Sequence, residues 1–189
     1  MKHLGLIAAA ATALLVLPQM ALARQQATGT INISGVVTGR CSVLGGGQAF
    51  SDTINLGELA GADGRLRTDL TDVSPDAERK FSLVCTSATP SVRLSTTRLS
   101  NGTTAPTGYA SDIDFTSQVA VLQASGTPPA ITYTTASALP PPTNVQLTGP
   151  LASAADNITL RVYGFTTDAG ALLVAGAYTS VVTITISPT

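Results

Sequence analysis

The chain has 189 residues, with 10 basic and 11 acidic side chains, one histidine, no tryptophan and a formal net charge of −1. A balance so close to neutral offers no basic surface to nucleic acid or to an anionic membrane, and neither is expected as a partner. Charged residues make up 11% and aromatic ones 4%. The remainder is rich in Thr, Ser, Ala, Gly and Val, the β-branched and turn-forming mixture expected of an all-β sandwich.

Residues 1–23 have the layout of a secretory signal. Lys2 and His3 precede an apolar run from Leu4 to Leu17, then Pro18 and the small-residue site Ala21-Leu22-Ala23. The run is short for a membrane span, and no span is expected after its removal. The mature chain then keeps one lysine, Lys80, and no histidine.

The next stretch, Ala27 to Thr38, carries Ala, Gly, Ile, Ile, Gly and Val at its odd positions and polar residues at the even ones except Val36. This period of two predicts a strand with one dry face, at the start of the mature chain. Gly35 interrupts the dry face between Ile33 and Val37, and a glycine inside a strand often marks the close approach of another backbone. Such a strand needs a sheet, in this molecule or in the next one.

Cys41-Ser42-Val43-Leu44 continues the extended run up to Gly45-Gly46-Gly47. Thr53-Ile54-Asn55-Leu56-Gly57 alternates again and predicts a second short strand. Residues 60–78 read as a polar connection, with a helical turn around Pro75 between Asp72 and Glu78. Lys80 to Cys85 predicts a strand with Phe81, Leu83 and Cys85 on one face, and Ser91 to Ser95 another. Asn101 to Gly108 is rich in turn residues. Val119–Leu122 and Ala130–Thr134 bracket Gly126-Thr127-Pro128-Pro129 as a hairpin. Pro140-Pro141-Pro142 supplies no ladder donors and predicts a surface crossing. Val145 with Leu147, Asn157–Phe165 and Tyr178–Ile186 complete the strands. In the last of these Tyr178, Val182, Ile184 and Ile186 are in phase. Short strands separated by turns predict a two-sheet sandwich of immunoglobulin type.

Cys41 and Cys85 both lie in the exported part, and an even pair in an oxidising compartment reads most simply as one disulfide. The chain-entropy model gives a loop of this length about 4 kcal/mol of stabilisation. Free thiols or a metal pair are the lesser alternative, because no histidine or third cysteine completes a ligand set. No cofactor is expected. The loss of His3 removes Ser-His-Asp and Cys-His nucleophile systems, so the chain does not read as an enzyme. Lys80, beside Arg79, reads as a solvated edge residue. Asp112-Ile113-Asp114 resembles half of a calcium loop but reads as a polar turn. The glycosylation sequons at Asn32, Asn101 and Asn157 are ascribed to chance in a Thr- and Ser-rich chain.

Three places together resemble the chaperone–usher pilins, the subunits of fimbriae. Gly29 to Val37 with Cys41-Ser42-Val43 looks like the N-terminal extension and first strand of type 1 subunits. Thr53-Ile54-Asn55-Leu56-Gly57 followed by Phe81 to Cys85 is similar to the family's spacing up to the second half-cystine. Leu160 to Gly164 and Gly176 to Ile184 look more like the spore-coat-U-like branch, which includes archaic pilins. Residues 97–156 carry no likeness, and the ending Ile186-Ser187-Pro188-Thr189 lacks the penultimate aromatic residue of type 1 subunits.

The resemblance implies an immunoglobulin-like domain, 39–189, that lacks its final strand. It also implies an N-terminal donor-strand extension, 24–38. Ile31, Ile33, Gly35 and Val37 would be donated to a neighbour. Val182, Ile184 and Ile186 would line the acceptor groove and meet the chaperone. The implied partners are other pilin subunits, a periplasmic chaperone and an outer-membrane usher. The implied destination is a cell-surface fimbrium serving adhesion or biofilm formation. The alternative is a secreted or surface-bound monomeric β-sandwich that binds carbohydrate or protein, and a secreted hydrolase is a third, weaker reading.

Overall fold

The computed structural model describes residues 30–44, 47–71, 77–126, 130–136 and 143–189. The chain divides at Gly35/Val36 into a leading unit and the body of the protein. In the leading unit, residues 30–35 form no strand and are exposed. The signal segment, Ala27–Gly29, the helical turn proposed around Pro75, the tip of the 126–130 loop and Pro140–Pro142 lie outside the described residues.

The body is all-β and, but for one short parallel pair, antiparallel. Its strands are β1 (Cys41–Val43), β2 (Glu78–Phe81), β3 (Leu83–Cys85), β4 (Ser91–Thr96), β5 (Leu99–Ser100), β6 (Tyr109–Ala110), β7 (Asp112–Val121), β8 (Ala130–Thr134), β9 (Thr143–Gln146), β10 (Ile158–Thr166), β11 (Leu172–Leu173) and β12 (Val182–Ser187). One layer runs β2-β10-β7, with β5 and β8 both paired to β7. The facing layer runs β12-β4-β9. β1 pairs with β3 as a separate ribbon, and β6 and β11 make the parallel pair.

The two layers close over one another through alternate side chains. Val92 and Leu94 of β4 share a buried cluster with Val119 and Val121 of β7, Ile131 of β8, and Ile158 and Leu160 of β10. Each such side chain, removed from water, contributes about 1.5–3 kcal/mol. A second cluster gathers Leu99, Ile113, Phe115, Val162 and Phe165. Its position depends on a β-bulge. The register of β10 on β7 shifts between Tyr163 and Thr166, and Gly164 sits there at φ 66°. The extra residue turns Phe165 inward, where strict alternation from Val162 would have faced it out. Phe165 then stacks on Phe115 at 5.4 Å between ring centroids.

Several expectations are corrected. Asp112-Ile113-Asp114 is not a turn but the start of β7, with Ile113 fully buried. Asp114 pairs with Arg98 at 2.8 Å. No group of metal-ligating side chains occurs among the described residues. The strand expected from Val119 begins at Asp112, because Ser117 occupies a dry position and hides the period. Ser117 is satisfied there by Thr96 Oγ1 at 2.6 Å. The single strand expected over 80–85 is two, divided at Ser82: β2 joins β10 while β3 turns to β1. Earlier in the chain a 3-10 turn spans Thr68–Thr71. The hairpin of β7 and β8 forms with Val119 opposite Ile131, and Cys41 and Cys85 form a disulfide across β1 and β3, 44 residues apart in sequence.

Candidate functional site

β12 lies at the edge of its sheet. It pairs with β4 from Val182 opposite Thr96 to Ser187 opposite Ser91, and among the described residues no strand lies on its other side. Val182, Ile184 and Ile186 face the core and pack against the main cluster, yet they are only partly buried. Thr183 and Thr185 face outward.

Across from β12 runs the stretch 48–56. It carries the alternation expected of a strand, with Ile54 and Leu56 turned to the core. It is nonetheless not a strand. Among the described residues, none from 48 to 57 makes a backbone–backbone hydrogen bond. The stretch is held by side chains instead. Phe50 packs on Phe81 at 4.1 Å, Asp52 pairs with Arg79 at 3.1 Å, and Arg79 donates to the Thr53 carbonyl at 2.8 Å. The predicted strand at Thr53–Gly57 is therefore corrected for a physical reason: the pattern is present and the ladder partner is not.

Between these two unpaired backbone edges lies an open groove of about 780 Å³. Cys41–Val43 and Gln48–Ile54 form one wall and Tyr178–Ile186 the other. Phe81, Leu83, Phe115, Leu160, Val162 and Phe165 form much of its floor. The only charged side chains in the lining are the paired Asp52 and Arg79. At one end the walls converge: a Cβ on Gly39 would come within 3.0 Å of Pro188 Cβ. Close by, Thr86 Oγ1 accepts from Arg40 N–H at 2.9 Å and donates to the Thr38 carbonyl at 3.2 Å. At the other end Tyr178 donates its hydroxyl toward the carbonyls of Ala110 and Val174, at 3.0 and 2.9 Å. Burial holds its phenol above the ordinary pKa of 10.0.

The expected donor residues lie outside any sheet of their own chain. Ile31, Ile33 and Val37 are 88%, 93% and 82% exposed, and a Cβ on Gly35 would meet nothing within 4 Å. The strand expected over Ala27–Thr38 is therefore corrected for its described part, 30–38, which joins no ladder. A lone strand has no partner for its amides and no stability of its own. Val182, Ile184 and Ile186, by contrast, all line the groove. Lys80 is half-exposed, 3.4 Å from Glu78.

The residues that sequence reasoning missed are the ones that hold the wall and floor in place. Arg79 braces 48–56 from a distance and Phe50 anchors it from within, and no local pattern marks them. Asn157, set aside as a chance sequon, is buried. Its side chain accepts from Leu83 N–H at 2.9 Å and donates to the carbonyls of Leu83 at 2.7 Å and Ala152 at 2.8 Å. The only available hint was a polar residue opening an apolar strand.

No protein-family model, curated protein or solved structure matches this chain.

Proposed function

We propose that the protein is a structural subunit of an extracellular fibre of the chaperone–usher pilin kind, polymerised by strand donation, with no catalytic role. The observation that carries the reading is the groove: two unpaired backbone edges facing one another over an apolar floor. An extended segment laid between β12 and 48–56 would bond to both edges and place alternate side chains on the floor, which is β-augmentation with register set by those side chains.

The chain also carries a segment of the right pattern. Ile31, Ile33 and Val37 alternate and are exposed. Burying each in a neighbour's groove contributes about 1.5–3 kcal/mol before ordering costs. Free edges of this kind invite uncontrolled pairing. The reading therefore includes a periplasmic chaperone that covers the groove and an outer-membrane usher at which subunits are exchanged. The assembled fimbrium would serve adhesion or biofilm formation at the cell surface.

Deletion of residues 24–38 tests the donor role. The shortened protein is expected to reach a chaperone-bound monomer and not to be incorporated onto another subunit. A synthetic peptide of residues 27–38 should restore the missing strand and raise its melting temperature with peptide concentration, since a ligand at about 100 times its Kd stabilises by about 2.7 kcal/mol. Fibres formed by the deleted protein would rule the donor role out. A stable monomer that ignores the peptide and melts higher with a carbohydrate would favour the binding-module alternative.

A further inference from the structure

We infer that the leading segment leaves the body through a fixed root, not a swivel: Thr86 and Pro188 hold residues 38–40 in one direction and thereby set the angle between successive copies. The root itself stands on contacts within one chain. Its consequence for a fibre rests on the strand-donation reading.

Residues 36–40 belong to the body and lead into β1. The β1–β3 ladder ends where Cys41 stands opposite Cys85, yet the bonding runs further. Thr86 N–H donates to the Arg40 carbonyl at 2.9 Å, and Arg40 N–H donates to Thr86 Oγ1 at 2.9 Å. The same hydroxyl donates to the Thr38 carbonyl at 3.2 Å. One residue thus satisfies both main-chain groups of Arg40 and reaches past Gly39 to Thr38. A loose linker would leave those groups to water.

Gly39 lies between the two bonded residues, and its freedom is removed from the other side. Its backbone is not in the left-handed region, so conformation alone does not demand a glycine there. What excludes a side chain is Pro188, whose Cβ would stand 3.0 Å from a Cβ at position 39. A glycine kept for close approach marks a contact. The proline it meets has a fixed φ and adds no play of its own.

Pro188 is anchored in turn. It follows Ser187, the last residue of β12, which stands opposite Ser91. Beyond it, Thr189 N–H donates to Ser87 Oγ at 3.3 Å, and Gln146 Nε2 donates to Thr189 Oγ1 at 3.2 Å. That threonine hydroxyl also donates to the Thr89 carbonyl. Ser87 is buried and adjoins Thr86. The two residues that follow Cys85 therefore hold the root on one side and the end of β12 on the other, beside the Cys41–Cys85 bond. Since β12 is a wall of the groove, the root is fixed relative to the groove of its own copy. A head-to-tail joint with one fixed rotation repeats as a regular helical filament. A swivelling root would give loosely jointed bodies instead.

Pulsed spin-label distances on the full chain test this. One nitroxide is placed at Val36 and one at Ser153, both exposed. Each is carried by a ketone-bearing amino acid that leaves the disulfide alone, and labelled chain is diluted with unlabelled chain so that every distance lies within one copy. Wild type is expected to give one narrow distance. Thr86→Val removes the hydroxyl at nearly constant volume and should broaden it. Gly39→Ala, whose added methyl meets Pro188, should displace it, and serves should the first variant fail to fold. A broad distribution in wild type, or a narrow one that neither variant alters, would overturn the fixed root. Electron micrographs of fibres read the consequence: Thr86→Val fibres should have a shorter persistence length than wild type, and equal lengths would overturn the link from root to fibre. A narrow, variant-sensitive distance in a wild type that forms no fibres through residues 24–38 would keep the root and remove strand donation.

Discussion

Asn157 does with one side chain what a neighbouring strand would otherwise do with its backbone. It satisfies both polar groups of Leu83 at the point where β2 gives way to β3, and that point forms part of the groove floor. Asn157→Ala leaves a buried N–H and two carbonyls short of a partner, and each such group costs about 1–3 kcal/mol. Chemical denaturation of the variant should show a loss of about 2–5 kcal/mol. Asn157→Asp should not rescue it, because a carboxylate cannot donate to the two carbonyls. This residue was illegible in the sequence because period-two reasoning assigns polar positions to solvent. Ser117 was hidden in the same way.

Tyr178 carries a pH dependence. Burial raises its folded-state pKa above 10.0, so the folded protein holds the phenolic proton more tightly than the unfolded chain does. The stability this contributes is fully present below the unfolded value and is lost as pH rises through the folded one. Wild type should therefore lose more stability than Tyr178→Phe between pH 8 and about 11, a difference read from paired denaturation curves. The variant should itself be weaker at pH 8 by about 0.5–1.5 kcal/mol, the net value of one hydrogen bond.

At the scale of elements, alternation was a sound guide to which residues make strands and a poor guide to how strands associate. β4, β12 and β10 as far as Val162 were legible because Val, Leu and Ile alternate with polar residues there; beyond it the bulge at Gly164 breaks the period. The split at Ser82 was not, since the same dry face serves β2 and β3 while their partners differ. Thr53–Gly57 shows the limit most clearly. Its pattern is that of a strand, and the structure leaves it waiting for one.

The wall in front of it depends on β1, a three-residue strand tied to β3 by the Cys41–Cys85 bond. Replacing both cysteines with alanine should lower stability by about 2–5 kcal/mol. It should also weaken capture of the 27–38 peptide by the shortened protein, which peptide-dependent melting would measure. Unchanged peptide binding would mean that the β1 wall does not contribute to the groove.

For the molecule as a whole, the all-β class and the single disulfide were legible from composition and cysteine count. The groove was not legible from the residues alone, because it is defined by an absence of pairing. Its lining carries no charge but one compensated ion pair, so the proposed joint between copies should owe little to long-range electrostatics. Raising salt tenfold should leave the melting of assembled oligomers essentially unchanged, whereas Gly35→Phe should reduce their yield by crowding the donated face. A pronounced salt dependence would point instead to charged surfaces outside the groove.

The burial of Asn157 also governs where the protein can be made. Asn157-Ile158-Thr159 is an acceptor for N-linked sugar, and in a yeast or mammalian secretory route the glycan is attached to the nascent chain before β10 has found its neighbours. A sugar on that amide nitrogen would occupy the atom that binds Leu83 and Ala152. Material from such a host should be retained and degraded, while a bacterial host without that modification should release it folded.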